Sequence, residues 1–251
     1  MPADKDTLIA NACDMLGELI NRYAFDQVLN GSIDDEDWER SLAEYPAHIA
    51  WAAGATRFVF WNPDDCSVVY KIDKPGYDMC HREAFVYQRA CEAHLERFFA
   101  KTEYLFDYVT TLVDNFSEEE CHKEIGVYVC DFCKISEDNN SDEAYNLMRK
   151  DFCEDHDIEP NHMTNKQEYD FQDELADDDY NEPGMFRIAT EHWGAHDSIR
   201  VQDFIHFMNV NDLHCGNWGW RKGTWVIVDY AGYHCIINRD PLPEYFLKQG
   251  A

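Results

Sequence analysis

The run "VNDLHCGNWGWRKGTWVIVDYAG", residues 210–232, holds Asp212, His214, Asn217 and Asp229. Asp212 and Asn217 stand five apart, a spacing that lets one short loop aim a carboxylate and an amide oxygen at a common centre. Asp229 follows 17 residues after Asp212, at the end of the apolar run "TWVIVDY". Hard oxygen donors of this kind suit magnesium. Phosphoryl transfer needs such a set: oxygen donors that hold the metal, and one carboxylate that orients the acceptor hydroxyl.

Two upstream residues extend the constellation. Lys71 lies in the strand-like run "VVYKI", and Glu83 follows twelve residues later in the helical stretch "CHREAFVYQRA", where it is placed to pair with the ammonium. A cation is needed to hold the α- or β-phosphate of a nucleotide, and this pair supplies the candidate. The alternative is an ordinary edge lysine and a surface glutamate. Gly54, with Ala55 and Thr56, precedes the first predicted strand. A glycine there lets backbone N–H groups approach phosphates closely, but a single glycine is also what a plain turn uses.

Other combinations carry less. Cys130-x-x-Cys133 is half of a zinc site, and Cys121, His122, Cys153 or His156 would have to complete it. His192, His196, His206, His214 and His234 are spread over 43 positions without a tight repeat and read as packed or exposed histidines. The acidic run "DELADDDY" lacks the glycine and terminal glutamate of a calcium loop and reads as a solvated face.

The elements that must position these residues are legible from periodicity. Residues 6–30 show helical recurrence of Leu8, Ala12, Met15, Leu19 and Tyr23, and 34–45 predict a second, shorter helix. Together, residues 1–50 form a helical appendage without chemistry of its own. "TRFVFWNPDDCSVVYKID" alternates on both sides of a turn signal and predicts a hairpin with strands near 56–61 and 66–72. A helix over 78–99 and strands near 102–113 and 125–132 complete a small antiparallel sheet with one helix packed across it, spanning 51–135. Residues 136–185 are rich in Asp, Glu and Asn and read as an acidic insertion with one helix at 141–153. A buried helix at 198–208 feeds the metal loop, and 224–230 predicts a buried strand.

At these motifs the chain resembles the protein-kinase-like superfamily. "VVYKI" is similar to its third-strand lysine motif, Glu83 to its helix glutamate, "VNDLHCGN" to its catalytic loop, and "VIVDYAG" stands where the family has Asp-Phe-Gly. The resemblance covers residues 54–232; the "DLHCGN" form is closer to the aminoglycoside and choline phosphotransferase branch than to typical eukaryotic protein kinases, and it also resembles small kinase-like proteins of bacteria and their phages. It implies an α+β, two-lobed kinase-like fold with a reduced, mainly helical second lobe at 136–251. It also implies ATP and magnesium as cofactors. Asp212 would act on the acceptor hydroxyl, Asn217 and Asp229 would bind magnesium, and Lys71, held by Glu83, would contact the α- and β-phosphates. "CDFCK", 130–134, would be the hinge, with Asp131 and Cys133 presenting backbone to the adenine, and His214 would touch the transferring phosphate or the acceptor.

Three departures qualify this. Val210 and Asn211 stand where the family often has His and Arg or Gly, which removes the arginine that senses a phosphorylated activation loop. Tyr230-Ala231-Gly232 adds a residue to the Asp-Phe-Gly pattern, and 19 residues follow Gly232, so acceptor binding falls to them, to the acidic insertion or to another molecule. The leading expectation is a kinase-like phosphotransferase with an unknown small-molecule or protein acceptor. The alternatives are a catalytically silent kinase-like module that docks a basic protein through its acidic surface, and an acidic decoy with a retired site.

Composition agrees with a globular protein: 251 residues, 45% hydrophobic and 14% aromatic. The formal charge of −29 repels nucleic-acid phosphates and anionic membranes, which argues against a general nucleic-acid binder. No apolar run reaches the length of a membrane span and no secretory signal is evident, so the ten cysteines are expected reduced, in a cytoplasm.

Overall fold

The computed structural model describes residues 4–30, 34–42, 46–113, 120–135, 149–150, 152–159, 162–176, 182–211, 213, 215–232 and 236–248. The fold is mixed α+β, with antiparallel pairing throughout its two sheets. The chain divides into two compact units: 1–84 with 101–132, and 85–100 with 133–251.

The first unit is built on a five-stranded sheet ordered β1-β2-β3-β5-β4. Its strands are β1 (Ala50–Ala53), β2 (Arg57–Trp61), β3 (Val68–Asp73), β4 (Thr102–Val113) and β5 (Glu120–Asp131). Alternation gives the sheet two different faces. Phe58 and Phe60 of β2, Tyr70 and Ile72 of β3, and Ile125, Val127 and Val129 of β5 point one way into a shared apolar core. That core is completed by α1 (Lys5–Tyr23), α2 (Asp26–Leu29) and α3 (Asp35–Ser41), through Ala12, Leu16, Leu19, Phe25, Val28, Leu29 and Trp38. The N-terminal helices are therefore one layer of this unit. The remaining positions of the central strands face the other way and carry Arg57, Lys71, Asp73, Tyr128 and Cys130.

Local chemistry sets the boundaries. Asp4 caps α1 by accepting from the Thr7 N–H at 2.9 Å, and Asp34 caps α3 by accepting from Asp37 N–H at 2.7 Å. The single helix predicted over 6–30 is divided, because Ala24 takes a left-handed φ of 54° and closes α1 with its N–H. Trp38 then locks the corner by donating its indole N–H to the Tyr23 carbonyl at 2.6 Å. The helix predicted over 78–99 also stops early. As α4 (Met79–Glu92) it ends before His94, whose φ is 58°, and the Leu95 N–H turns back to the Ala90 carbonyl at 2.8 Å.

The second unit holds α5 (Asn165–Ala176), α6 (Glu182–Trp193), α7 (Ala195–Met208) and α8 (Glu244–Leu247), with a three-stranded sheet ordered β6-β7-β8. The strands are β6 (Lys134–Ile135), β7 (Trp218–Arg221) and β8 (Thr224–Ile227). Lys222 and Gly223 join β7 to β8 with φ of 52° and 82°, the doubly left-handed turn that makes a glycine useful in a two-residue hairpin. The acidic stretch is more regular than its composition predicts. Phe152, Cys153 and Phe171 are buried in the same core as Met185, Phe186, Phe204 and Trp218, so charge lies on the outside of helices that carry an apolar stripe. Residues 136–148 and 177–181 lie outside the described residues. Among the described residues no helix is long and apolar enough to cross a membrane.

If α1 is a layer of the first unit, Leu16→Ala opens a cavity in its core. It should cost about 2–5 kcal/mol in chemical denaturation, whereas Ile199→Ala, at an exposed position, should stay within about 0.5 kcal/mol.

Candidate functional site

Glu83 organises the polar face of the first sheet. It lies one turn into α4 and is fully buried, at 0% exposure, with Thr102 at 1%, Arg57 at 6% and Lys71 at 9%. The Lys71 ammonium donates to Oε1 of Glu83 at 2.6 Å, and the Thr102 hydroxyl donates to the same oxygen at 2.7 Å. Arg57 donates to the other oxygen, Oε2. The glutamate thus ties α4 to β2, β3 and β4 at once. A surface glutamate beside an edge lysine, the bland alternative, does not describe it.

Strand register explains why these residues meet. In β2 and β3, Val59 pairs with Lys71 and Arg57 with Asp73, so Arg57, Lys71 and Asp73 occupy one pleat face. Lys71 and Val69 are paired in turn with Tyr128 and Cys130 of β5. Asp73 accepts from the Cys80 N–H, at 2.9 Å to one carboxylate oxygen and 3.2 Å to the other, and so receives the first turn of the helix that presents Glu83. Burial pushes the Asp73 carboxyl above its ordinary value, against the Cys80 hydrogen bonds and the nearby Arg57 charge, which pull it down. Burial also raises the Tyr128 phenol and the Cys80 thiol, and pushes the Cys130 thiol up to about 11 despite the Lys71 charge.

The remaining first-unit residues of the sequence reading are placed as follows. Gly54 opens a tight turn in which its N–H donates to the Arg57 carbonyl at 3.0 Å, and a Cβ there would meet nothing within 4 Å. Thr56 is buried, and its carbonyl accepts from the Lys74 N–H at 2.9 Å. Asp131 and Lys101 bond reciprocally: the Asp131 N–H donates to the Lys101 carbonyl at 3.1 Å, and the Asp131 carboxylate accepts from the Lys101 N–H at 3.0 Å. The two units divide between Phe132 and Cys133, inside the predicted hinge. Within the CxxC pair, Cys130 is buried with its sulfur 3.1 Å from the Thr102 hydroxyl, and Cys133 packs against Ala100, Val226 and Val228.

In the second unit, Asn217 and Asp229 come together through the backbone. The Asn217 carbonyl accepts from the Val228 N–H at 2.8 Å and from the Asp229 N–H at 3.4 Å, where the chain leaves β8. Asn217 is buried and Asp229 half-buried. The loop before them is pinned from below, because Val210 and Leu213 are buried and the Trp218 indole donates to the Leu213 carbonyl at 3.1 Å. Asp212 and His214 lie outside the described residues, as does His234. Of the other histidines, His192 stands edge-on to the Trp220 ring at 5.1 Å, and His196 lies 3.4 Å from the Asp197 carboxylate. Among the described residues no three His, Cys, Asp or Glu side chains form a metal-binding group. An amide oxygen and a carboxylate are nonetheless the hard donors magnesium takes from a protein when phosphates and water supply the rest, and Asn217 with Asp229 fits that requirement.

Sequence reasoning missed Arg57, Thr102 and Asp73. Arg57 and Asp73 carried a readable signal: pairing the hairpin across "NPDD" puts both on the face that holds Lys71. Thr102 carried none, because its approach to Glu83 depends on the strand after α4. Compared with protein-family models and with curated proteins, the chain matches none.

Two outcomes are expected from this geometry. Glu83→Ala leaves two buried cations without their shared carboxylate and should cost about 3–5 kcal/mol in denaturant unfolding. Cys130 and Cys80 should resist alkylation in the folded protein while exposed Cys66 and Cys91 react. Because the folded Cys130 thiol titrates above its ordinary 9.0, its contribution to stability is complete below pH 9.0 and is lost as pH rises through about 11; Cys130→Ala should flatten that alkaline decline.

Proposed function

We propose that the chain is an ATP- and magnesium-dependent phosphotransferase with a two-lobed protein-kinase-like fold. The observation that carries this reading is the buried Lys71–Glu83 pair, 2.6 Å apart, made between β3 and the helix that follows it in a sheet ordered β1-β2-β3-β5-β4. A buried lysine held by a carboxylate is costly unless its charge is used or matched, and a nucleotide phosphate is the ligand that uses it.

In this reading Lys71 contacts the α- and β-phosphates and Glu83 fixes the ammonium in direction. Gly54 and Thr56 lie in the turn near the phosphates, and the backbone of Asp131 and Cys133 meets the adenine. Asn217 and Asp229 hold magnesium, which when bound offsets charge on the phosphate oxygens. Asp212 orients the acceptor hydroxyl and takes its proton, and His214 touches the phosphate or the acceptor. Catalysis then rests on positioning and charge, because phosphoryl transfer asks little covalent chemistry of the protein. The strongly acidic surface suits an acceptor or protein partner that is itself basic.

The test is ADP formation from Mg-ATP by wild-type protein and by Asp212→Asn, with nucleotide affinity measured beside it. The proposal expects turnover to fall about 100-fold or more while affinity changes only a few-fold. Equal, background ADP release from both proteins with affinity intact would reassign the chain as a nucleotide-binding module.

A further inference from the structure

The Glu83 site has a member that the lysine–glutamate pair does not require. We infer that Arg57 is a positioning residue: by holding the second oxygen of Glu83 from β2, it keeps the carboxylate in place when the Lys71 ammonium engages an anionic ligand. The inference rests on the reading of Lys71 as a phosphate contact, but its physical core is independent of any ligand.

The two oxygens of Glu83 are divided between the two cations. Oε1 takes Lys71 and Thr102, and Oε2 takes Arg57. In a simple pair, a lysine that turns toward a phosphate abandons its only carboxylate and leaves a buried charge uncompensated, which opposes the turn. Here Arg57 and Thr102 still satisfy Glu83 when Lys71 moves. Arginine suits the task because its guanidinium stays charged and its planar fork gives the carboxylate a fixed direction.

Charge counting leads to the same residue. Ionisable groups beside Lys71 include Arg57 from β2, Asp73 from β3, Cys80 and Glu83 from α4, and Tyr128 and Cys130 from β5. Burial keeps the phenol and both thiols protonated. Of these, Arg57 and Lys71 carry positive charge and Glu83 and Asp73 are carboxylates. Removing Arg57 takes one positive charge from beside Lys71, so the carboxylates would hold Lys71 more tightly and the face would attract phosphate less.

The discriminating measurement is the reactivity of the Lys71 amine toward an acylating reagent at about pH 9, where a small fraction of lysine is deprotonated. It is read by mass spectrometry against Lys101, a half-exposed lysine of the same unit, in wild type, Arg57→Gln and Arg57→Lys. Loss of the Arg57 charge should raise the affinity of Lys71 for its proton, so labelling should fall about 10-fold in Arg57→Gln, and Arg57→Lys should restore it. If Arg57 were only a structural prop, Arg57→Gln would loosen the site and labelling would rise; a rise, or no change, overturns the inference. Mg-ATP affinity supplies the second arm, expected to weaken about 10-fold in Arg57→Gln and to return in Arg57→Lys. Wild-type protein that fails to bind Mg-ATP would overturn the nucleotide reading, whereas the labelling result judges Arg57 in either case.

Discussion

Burying a carboxylate with no solvent exposure is unfavourable unless every lone pair finds a donor and the charge finds a counterion. Glu83 meets this condition with Lys71, Arg57 and Thr102, contributed by three different strands. The requirement propagates outward. β2 and β3 must pair in the register that sets Arg57 and Lys71 on one face, β4 must bring Thr102 alongside Cys130, and α4 must start where Asp73 can receive its first turn. A slip of one residue in β3 would send Lys71 into the apolar core and Tyr70 or Ile72 into the polar cluster. Register, helix start and ion cluster thus support one another, and no single strand sets the site.

A polar face on one side of a thin sheet places the burden of hydrophobic stabilisation on the other. The core beneath Phe58, Phe60, Tyr70 and Ile72 is closed by the N-terminal helices, with Phe25 and Trp38 packed ring to ring at 4.9 Å and Phe25 edge-on to Phe58 at the same distance. The N-terminal helices therefore cover the apolar face of the sheet whose other face carries Lys71. The second unit solves a parallel problem differently. A cluster of aromatic rings, including Trp193, Trp218 and Trp225, sits under the turn that carries Asn217, and the indole N–H groups of Trp193 and Trp218 satisfy backbone carbonyls.

Much of this was legible in the chain because it rests on local periodicity. The alternation around "NPDD" revealed the hairpin, and the apolar run before Asp229 revealed β8, although β8 closes at Ile227 and the aspartate follows it. Lys71 and Glu83 were readable as a pair from strand-then-helix spacing. What was missed depends on backbone choices that propensity does not report. Ala24 and His94 end helices by adopting left-handed conformations that non-glycine residues as a class seldom take. The acidic stretch hid its helices because composition outweighed the sparse apolar positions, Phe152 and Phe171 among them, that anchor it. Arg57 escaped notice because an arginine at the start of a strand usually faces water, although pairing the hairpin across "NPDD" sets it on the Lys71 face.

Thermal unfolding with and without Mg-ATP, for the wild type and Lys71→Met, tests the proposed nucleotide site most directly. A ligand at about 100 times its dissociation constant adds about 2.7 kcal/mol to a protein it binds only when folded, which raises the midpoint of a chain this size on the order of 5–10 °C. The account predicts such a rise in the wild type and its loss in Lys71→Met. An unchanged wild-type midpoint at millimolar Mg-ATP would contradict it, and would leave the buried Glu83 cluster as a purely structural device.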